Sequence, residues 1–222
     1  MKRAYHRTNI EKVAEGKFQR FCFLNYESRV GDQNPYKGCW EITQRTTRET
    51  PFDAFKQSPC PIPVDAVEMT AIVSKGGSKF LVLVGQYRPP LDAVALEFPA
   101  GLIDKGESVT TAALRELKEE TGYTAFEEDV VSTSKPMCYE PGMTDSCGSM
   151  VHINVDGDRE DNISPKQTLD DCEDIEIILL PFDNKKEALK NALGYVTQKE
   201  QDGHRVVIDA KLYTFLSAFS LY

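Results

Sequence analysis

Three glutamates with helical spacing are the residues of this chain best suited to bind a metal ion. Glu116 and Glu120 lie four apart in the segment ALRELKEETGY, and Glu119 lies between them. Side chains three or four residues apart share one face of a helix, so we expect one acidic patch. Like charges at this spacing destabilise a helix by about a few tenths of a kcal/mol, whereas Mg²⁺ commonly binds through one or two carboxylates plus substrate phosphates. A solvated acidic helix face is the alternative, and these three residues alone leave it open.

The helix that would carry these glutamates has its own start and stop signals. Ser108 is expected to accept a hydrogen bond from an unpaired N–H of the first turn. Gly122 suits the left-handed residue that closes a helix. Arg115 places a planar, permanently charged group beside the acids, where it could hold a carboxylate in place. The residues expected to pack inward are Ala113, Leu114 and Leu117.

The complete spacing of glycines and charged residues is more specific than the glutamates alone. It reads Gly101, five residues, Glu107, seven residues, Arg115-Glu116-Leu117, one residue, Glu119-Glu120, one residue and Gly122. This stretch resembles the Nudix box of the Nudix hydrolases, with Tyr123 at a last position that is usually aliphatic. The resemblance implies hydrolysis of a nucleoside diphosphate linked to another moiety. It also implies two or three Mg²⁺ ions, or Mn²⁺, bound mainly by Glu116 and Glu120 with Glu119 assisting.

Composition limits the classes of partner. The net charge of −9 argues against binding a nucleic-acid backbone or an acidic membrane. No stretch approaches 18 apolar residues, and the first 16 residues lack the apolar segment of a signal peptide. We therefore predict a protein without a nucleic-acid or membrane partner. A cytoplasmic location is expected, and a nuclear pool is left open.

The order of local patterns predicts three regions. Residues 1–16 are polar and are predicted to be a flexible N-terminus. Residues 17–63 are predicted to form a β-hairpin arm, with strands at 17–26 and 38–49, followed by a proline-rich linker at 50–63. Residues 64–222 are predicted to form the catalytic domain. Its predicted strands are 66–73, 79–86, 130–139, 148–155 and 175–180, and its later helices are 185–193 and 210–221. The expected fold class is α+β, or mixed α/β: the Nudix fold, a mixed sheet between helices, with the arm in front.

The resemblance extends beyond the box. The segments QYRPP, EFPAGLID, WEITQRTTR and EPGMTD together look like the ADP-sugar pyrophosphatase branch, which hydrolyses ADP-ribose to AMP and ribose 5-phosphate. Pro141 fills the role of the proline that marks the ADP-ribose class, 18 residues after Tyr123. The branch also implies a homodimer formed through the N-terminal arm.

The arm and the first catalytic strands supply the expected substrate contacts. Trp40 offers a flat face on which adenine could stack; a hairpin core residue is the alternative. In the branch, adenine lies between aromatic residues of two subunits, which implies Phe18 as the second. Arg45 and Arg88 match phosphate-binding arginines, a role suited to a bidentate guanidinium, although surface arginines are common. Glu41 matches a position that contacts the base or sugar, and an exposed strand glutamate is the alternative.

The remaining implied site residues surround the box. The Ala100 carbonyl would bind a metal, Leu102 would line the substrate pocket, and Glu140 would contact the substrate. Glu173, in the acidic segment LDDCEDIEIILLP, would bind metal or polarise the attacking water. Glu119, Arg115 and Glu173 are therefore the predicted catalytic residues. For Glu140 and Glu173, a solvated loop carboxylate is the alternative.

Two other functions remain open at this stage. One is a Nudix hydrolase for another nucleotide, such as an oxidised nucleoside diphosphate or NADH. The other is a non-catalytic Nudix-fold module that binds ADP-ribose. Such modules usually lose acids of the box, whereas this chain retains them all.

Overall fold

The computed structural model describes residues 3–31, 34–47, 62–170 and 173–220. Its strands, in chain order, are β1 (Arg3–Glu15), β2 (Gln19–Val30), β3 (Tyr36–Arg45), β4 (Ala66–Lys75), β5 (Ser78–Arg88), β6 (Ala93–Glu97), β7 (Ala100–Leu102), β8 (Val130–Thr133), β9 (Met137–Cys138), β10 (Cys147–Asp156), β11 (Ile175–Pro181) and β12 (Val206–Ile208). Its helices are α1 (Val109–Thr121), α2 (Ala188–Gln201) and α3 (Ala210–Ser220).

The chain divides into two units. The first, here called the arm unit, comprises Met1–Asp65 and Pro136–Gly148. The second, the catalytic unit, comprises Ala66–Lys135 and Ser149–Tyr222. The sequence placed 136–148 in the catalytic domain, whereas the structure groups this segment with the arm.

The arm unit is a three-stranded antiparallel sheet with β2 in the centre. The two strands predicted in the arm correspond to β2 and β3. The predicted flexible N-terminus is wrong for Arg3–Glu15, which forms β1 and pairs with β2 from Arg3–Val30 to Glu15–Arg20. Nearly every residue of β1 is exposed, so the strand has none of the alternation that would reveal it in the sequence. Of the predicted linker, residues 50–61 lie outside the described residues.

Segment 136–148 belongs to the arm unit because backbone bonds join it to β3. The Thr43 N–H donates to the Met143 carbonyl, 2.8 Å away, and Thr43 forms a parallel bridge with Thr144. The buried Gln44 side chain donates to Asp145 Oδ2 at 2.6 Å. The EPGMTD motif is thereby held against the strand that carries Trp40, about a hundred residues earlier in the chain.

The catalytic unit contains a mixed sheet with strand order β12-β6-β5-β4-β10-β8, to which β11 adds at β5 and β7 at β4. The pair β12–β6 is parallel, whereas β5 pairs antiparallel with β4, β6 and β11. The five strands predicted for this region are present, although the predicted 130–139 strand splits into β8 and β9. The short strands β6, β7 and β12 were missed because three to five residues are too few for a clear period.

Helices cover both faces of this sheet, which confirms the predicted layers. One core joins α1 to the inward residues of β4 and β10, and includes Val67, Met69 and Leu117. The other joins α2 and α3 to β5 and β6, and includes Leu83, Leu212 and Leu216. The helix predicted at 185–193 is a 3₁₀ turn followed by α2, which continues to Gln201. None of the helices within the described ranges is both long and apolar enough to cross a membrane.

Candidate active site

Helix α1 begins and ends where the sequence predicts. The Ser108 hydroxyl accepts a hydrogen bond from the Thr111 N–H at 3.1 Å. Gly122 has φ of +73°, and its N–H donates to the Lys118 carbonyl at 2.8 Å. Between these caps, Leu117 is fully buried against the sheet. The helix is therefore fixed at both ends and along one face, which sets the direction of its charged side chains.

Arg115 organises the acids around it. Its Nε and Nη2 donate to the two carboxylate oxygens of Glu107, and Nη1 donates to Glu116 at 2.8 Å and Glu119 at 3.0 Å. The remaining Nη2 proton is donated to the Leu102 carbonyl at 2.9 Å. All five guanidinium protons are thus used. The bonds from Arg115 lower the pKa of Glu107, and the carboxylates, Glu107 foremost, raise the pKa of Arg115.

Glu116 lies directly over the backbone of Gly101. A Cβ added at Gly101 would overlap the Glu116 carboxylate, so the first glycine of the box is needed for space. Burial raises the pKa of Glu116, and the charges of Glu119 and Glu173 add to the shift, while Arg115 opposes it. Glu116 therefore lies among other negative charges at a position that water reaches only in part.

Glu120 is the most deeply buried acid of the site. It is 6% exposed, and its Oε2 accepts the Ala100 N–H at 2.9 Å. Burial raises the pKa of Glu120 to about 8, and the charges of Glu116 and Glu173 contribute in the same direction. The bond from Ala100 opposes this shift. Glu120 thus favours its neutral form unless a cation lies nearby.

Glu173 lies close enough for its charge to act on both box glutamates. It is exposed, and its carboxylate accepts the Asp170 N–H at 3.1 Å. The neighbouring Glu176, which the sequence did not favour, is already engaged by Tyr195 at 3.0 Å and Lys199 at 2.7 Å. The structure therefore places Glu173 within electrostatic reach of the two box glutamates, whereas Glu176 contacts Tyr195 and Lys199.

The donor groups suit a hard divalent cation. Within the part of the chain that the structure describes, no group of three or more His, Cys, Asp or Glu side chains is placed to hold a metal ion by itself. Mg²⁺ does not need one, because it commonly uses one or two carboxylates and completes its shell with water and substrate phosphates. Glu116, which is partly buried, and Glu120, which is buried, supply two carboxylates whose pKa values are raised first by burial and then by neighbouring negative charge. The residues present fit a divalent cation.

Arg88 has a partner that sequence reasoning missed. Its Nε donates to Glu97 Oε2 at 3.0 Å, and its Nη2 reaches the same oxygen. The charge of Arg88 also lowers the pKa of Glu120, so this arginine lies within electrostatic reach of the box glutamates. Glu97 belongs to the EFPAGLID segment, where the sequence alone predicts no role for it. An acid four residues before the box is the signal that could have found it.

In the arm unit, the predicted adenine-stacking residues are accessible. Trp40 is 48% exposed, and its Nε1 donates to the Gly142 carbonyl at 2.9 Å, so the ring is held at the surface rather than in a core. Phe18 is 65% exposed, with the Lys17 ammonium 4.8 Å from its ring centre. These positions leave both rings able to contact a ligand.

The arm unit also carries three polar residues that are predicted to contact the substrate, and all three are partly or fully exposed. Glu41 and Glu140 are exposed, and the Glu140 carbonyl accepts the Met143 and Thr144 N–H groups. Arg45 makes a long contact from Nε to Ser146 Oγ at 3.4 Å. Their roles in substrate binding stay predictions.

Comparison with known proteins decides the family. The family model described as the NUDIX domain matches residues 65–197. The chain belongs to the Nudix family. Nudix hydrolases generally use divalent metal ions, usually Mg²⁺. The box of this member ends in Tyr123, which is 2% exposed and packs in the core under α1, as the usual aliphatic residue would.

Two relatives extend the similarity over most of the chain. A Caenorhabditis elegans protein whose name places it among the nudix hydrolases is 36% identical over 95% of this chain and 83% of its own length. The ADP-sugar pyrophosphatase of Mus musculus is 34% identical over 94% of this chain and 84% of its own length. A solved structure of an ADP compounds hydrolase is 19% identical, covers 88% of this chain and 95% of its own, and has a TM-score of 0.53. It shows the same fold.

The contact between Gly101 and Glu116 predicts an effect on metal binding rather than on folding. In Gly101→Ala, the new methyl group must displace the Glu116 carboxylate, which is the end of a flexible side chain. We expect the affinity for Mn²⁺, measured by titration calorimetry, to fall by about tenfold or more. The control is Gly194→Ala on α2, where the added Cβ meets no atom within 4 Å. Unchanged Mn²⁺ binding in Gly101→Ala would contradict the geometry.

The raised pKa of Glu120 predicts a pH dependence of stability in metal-free protein. The folded state binds more protons than the unfolded state between the ordinary value of 4.5 and about 8, so the stability contributed by Glu120 is lost as pH rises through that window. In urea unfolding with EDTA, Glu120→Gln should remove at least about 1 kcal/mol of this decline between pH 5 and pH 8. Glu200→Gln, on the exposed side of α2, serves as control. Identical slopes for wild type and Glu120→Gln would refute the assignment.

Proposed function

We propose that this protein hydrolyses the pyrophosphate bond of ADP-ribose and related ADP-sugars, releasing AMP and a sugar phosphate. For ADP-ribose, the second product is ribose 5-phosphate. The observation that carries the chemistry is the pair of carboxylates one helical turn apart, the partly buried Glu116 and the buried Glu120, that favours a cation. The substrate class is supported by the ADP-sugar pyrophosphatase of Mus musculus, which matches 94% of this chain, and by the motif around Pro141.

Glu116, Glu120, Glu173 and the Ala100 carbonyl would hold the cations, which we take to be two or three Mg²⁺ or Mn²⁺ ions. Bound there, the ions would neutralise charge on the phosphoryl oxygens and make hydroxide available from water near neutral pH. Arg115 keeps Glu116 and Glu119 oriented through charged hydrogen bonds. This arrangement exists before substrate arrives, so orienting these acids costs little during the reaction.

The remaining groups would bind and orient the reacting atoms. Arg88, about two-fifths exposed, can turn its free N–H groups to phosphate oxygens while Glu97 holds its Nε. Glu173 would orient the water that attacks one phosphorus in line with the leaving oxygen. The new P–O bond replaces the anhydride bond, and the departing oxygen remains on the second phosphate. Glu119 and Arg115 assist by maintaining the acidic patch.

The arm unit would bind the adenosine half of the substrate. Trp40 has an exposed face and a fixed ring, both of which suit stacking on adenine. We infer a homodimer in which Phe18 of a second copy completes the adenine site. The need for a partner is supported by the small core of the arm unit, where the buried apolar residues are Cys22, Ile42 and Cys147 among those described. A three-stranded sheet with so little core gains stability by packing on another surface.

An assay of ADP-ribose, ADP-glucose and NADH with Mg²⁺ and with EDTA tests the proposal. We expect AMP to be released from the ADP-sugars only when Mg²⁺ is present. Glu116→Gln keeps the side-chain size but removes a ligand charge, so kcat should fall by at least about a hundredfold. Glu200→Gln should retain wild-type activity. Activity within a few-fold of wild type in Glu116→Gln would reject the metal assignment, and preference for NADH would reject the substrate class.

Stacking by Trp40 predicts a change in substrate affinity without a change in chemistry. Base–aromatic stacking is worth about 1–3 kcal/mol per base, so Trp40→Ala should raise KM for ADP-ribose by about fivefold to a hundredfold and change kcat little. Tyr36→Ala, at an exposed tyrosine on the same strand, is the matched control. Equal effects of the two substitutions on KM would argue against adenine binding at Trp40.

A further inference from the structure

Gln167 joins the helix that carries the box glutamates to the strand that follows Glu173. Its side-chain Nε2 donates to the Glu120 carbonyl at 2.6 Å and to the Ile175 carbonyl at 2.9 Å. Only the NH₂ end of an amide can bond two carbonyl oxygens, because the other end has no proton to donate. The chemistry of its two partners therefore fixes the orientation of the Gln167 amide.

These bonds complete the C-terminal turn of α1. The last carbonyls of a helix have no partner within the helix. The Gly122 N–H satisfies the Lys118 carbonyl, and the Thr168 N–H satisfies the Glu119 carbonyl at 2.8 Å. Gln167 satisfies the next one. Gln167 and Thr168 are thus bound to the last turn of α1, on which Glu119 and Glu120 lie.

We propose that Gln167 is a positioning residue for the metal site, which fixes Glu173 relative to Glu116 and Glu120. Ile175 follows Glu173 by two residues, so a bond from Gln167 to its carbonyl limits where Glu173 can lie. The same Gln167 amide holds the Glu120 carbonyl, and the Glu173 carboxylate accepts the Asp170 N–H, so both ends of this connection are fixed by hydrogen bonds. The inference rests on the proposed function, because only there does Glu173 bind metal or orient water.

The test measures Mn²⁺ binding by titration calorimetry alongside the kinetics. Gln167→Met keeps the side-chain length and removes both donors. We expect the Kd for Mn²⁺ to rise by about tenfold to a hundredfold, the usual cost of losing a group that orients a metal ligand. The value of kcat for ADP-ribose should fall similarly, with little change in KM. Gln198→Met is the control, since Gln198 is exposed and, among the described residues, its side-chain amide bonds to Asp202 alone.

A double variant separates positioning from a general loss of stability. If Gln167 acts through Glu173, adding Gln167→Met to Glu173→Gln should weaken Mn²⁺ binding little further. Equal losses in both backgrounds, or a lowered Tm with wild-type Mn²⁺ binding, would overturn the inference.

A second variant is available if Gln167→Met does not fold. In Gln167→Asn the amide is one methylene too short to reach both carbonyls, so the same loss of Mn²⁺ binding is expected. Wild-type protein that binds Mn²⁺ but hydrolyses no ADP-sugar would reject the proposed function while leaving the binding test of Gln167 intact.

Discussion

The site depends on holding like charges together in a place that water reaches poorly. Glu116 and Glu120 are one helical turn apart, and burial raises the pKa of each. In a chain without compensation, such a pair would turn outward or distort the helix. Here Arg115 binds one acid and the Ala100 N–H binds the other. These two contacts offset part of the repulsion between the carboxylates, and the negative charge that remains favours a divalent cation.

The fold supplies the rigidity that this balance requires. Leu117 anchors the inner face of α1 in the core shared with β4 and β10. The strand β7, which contains the first glycine of the box, pairs with β4, so the backbone that meets Glu116 and Glu120 is part of the sheet. Gly101 permits the approach, and Gly122 lets the chain turn back over Lys166, whose backbone a Cβ at that position would overlap. Helix, strand and loop are each fixed by a different interaction, and the acids lie where the three meet.

The sequence predicts this region well because its signals are local. The caps at Ser108 and Gly122 and the inward face of α1 depend on residues a few positions apart, and a helix of this length displays them clearly. Partners distant in sequence were not predictable in the same way. Neither Gln167 nor Glu97 belongs to a periodic pattern. Gln167 matters because folding places it beside α1, and Glu97 because folding places it beside Arg88. The strand at Arg3–Glu15 was missed for a related reason, since its order comes from pairing with β2 rather than from its own composition.

The division of the chain into units has a consequence for how such a protein can diversify. The arm unit is built from two stretches, and the second, Pro136–Gly148, is an insertion between parts of the catalytic unit. A single recombination point after residue 65 would transfer the sheet that bears Trp40 but leave behind the loop that anchors its indole. Transfer of the complete arm unit between family members would therefore need three crossovers, after residues 65, 135 and 148. Under the proposed function, point substitutions within the arm and the inserted loop are the simpler route to a new ligand.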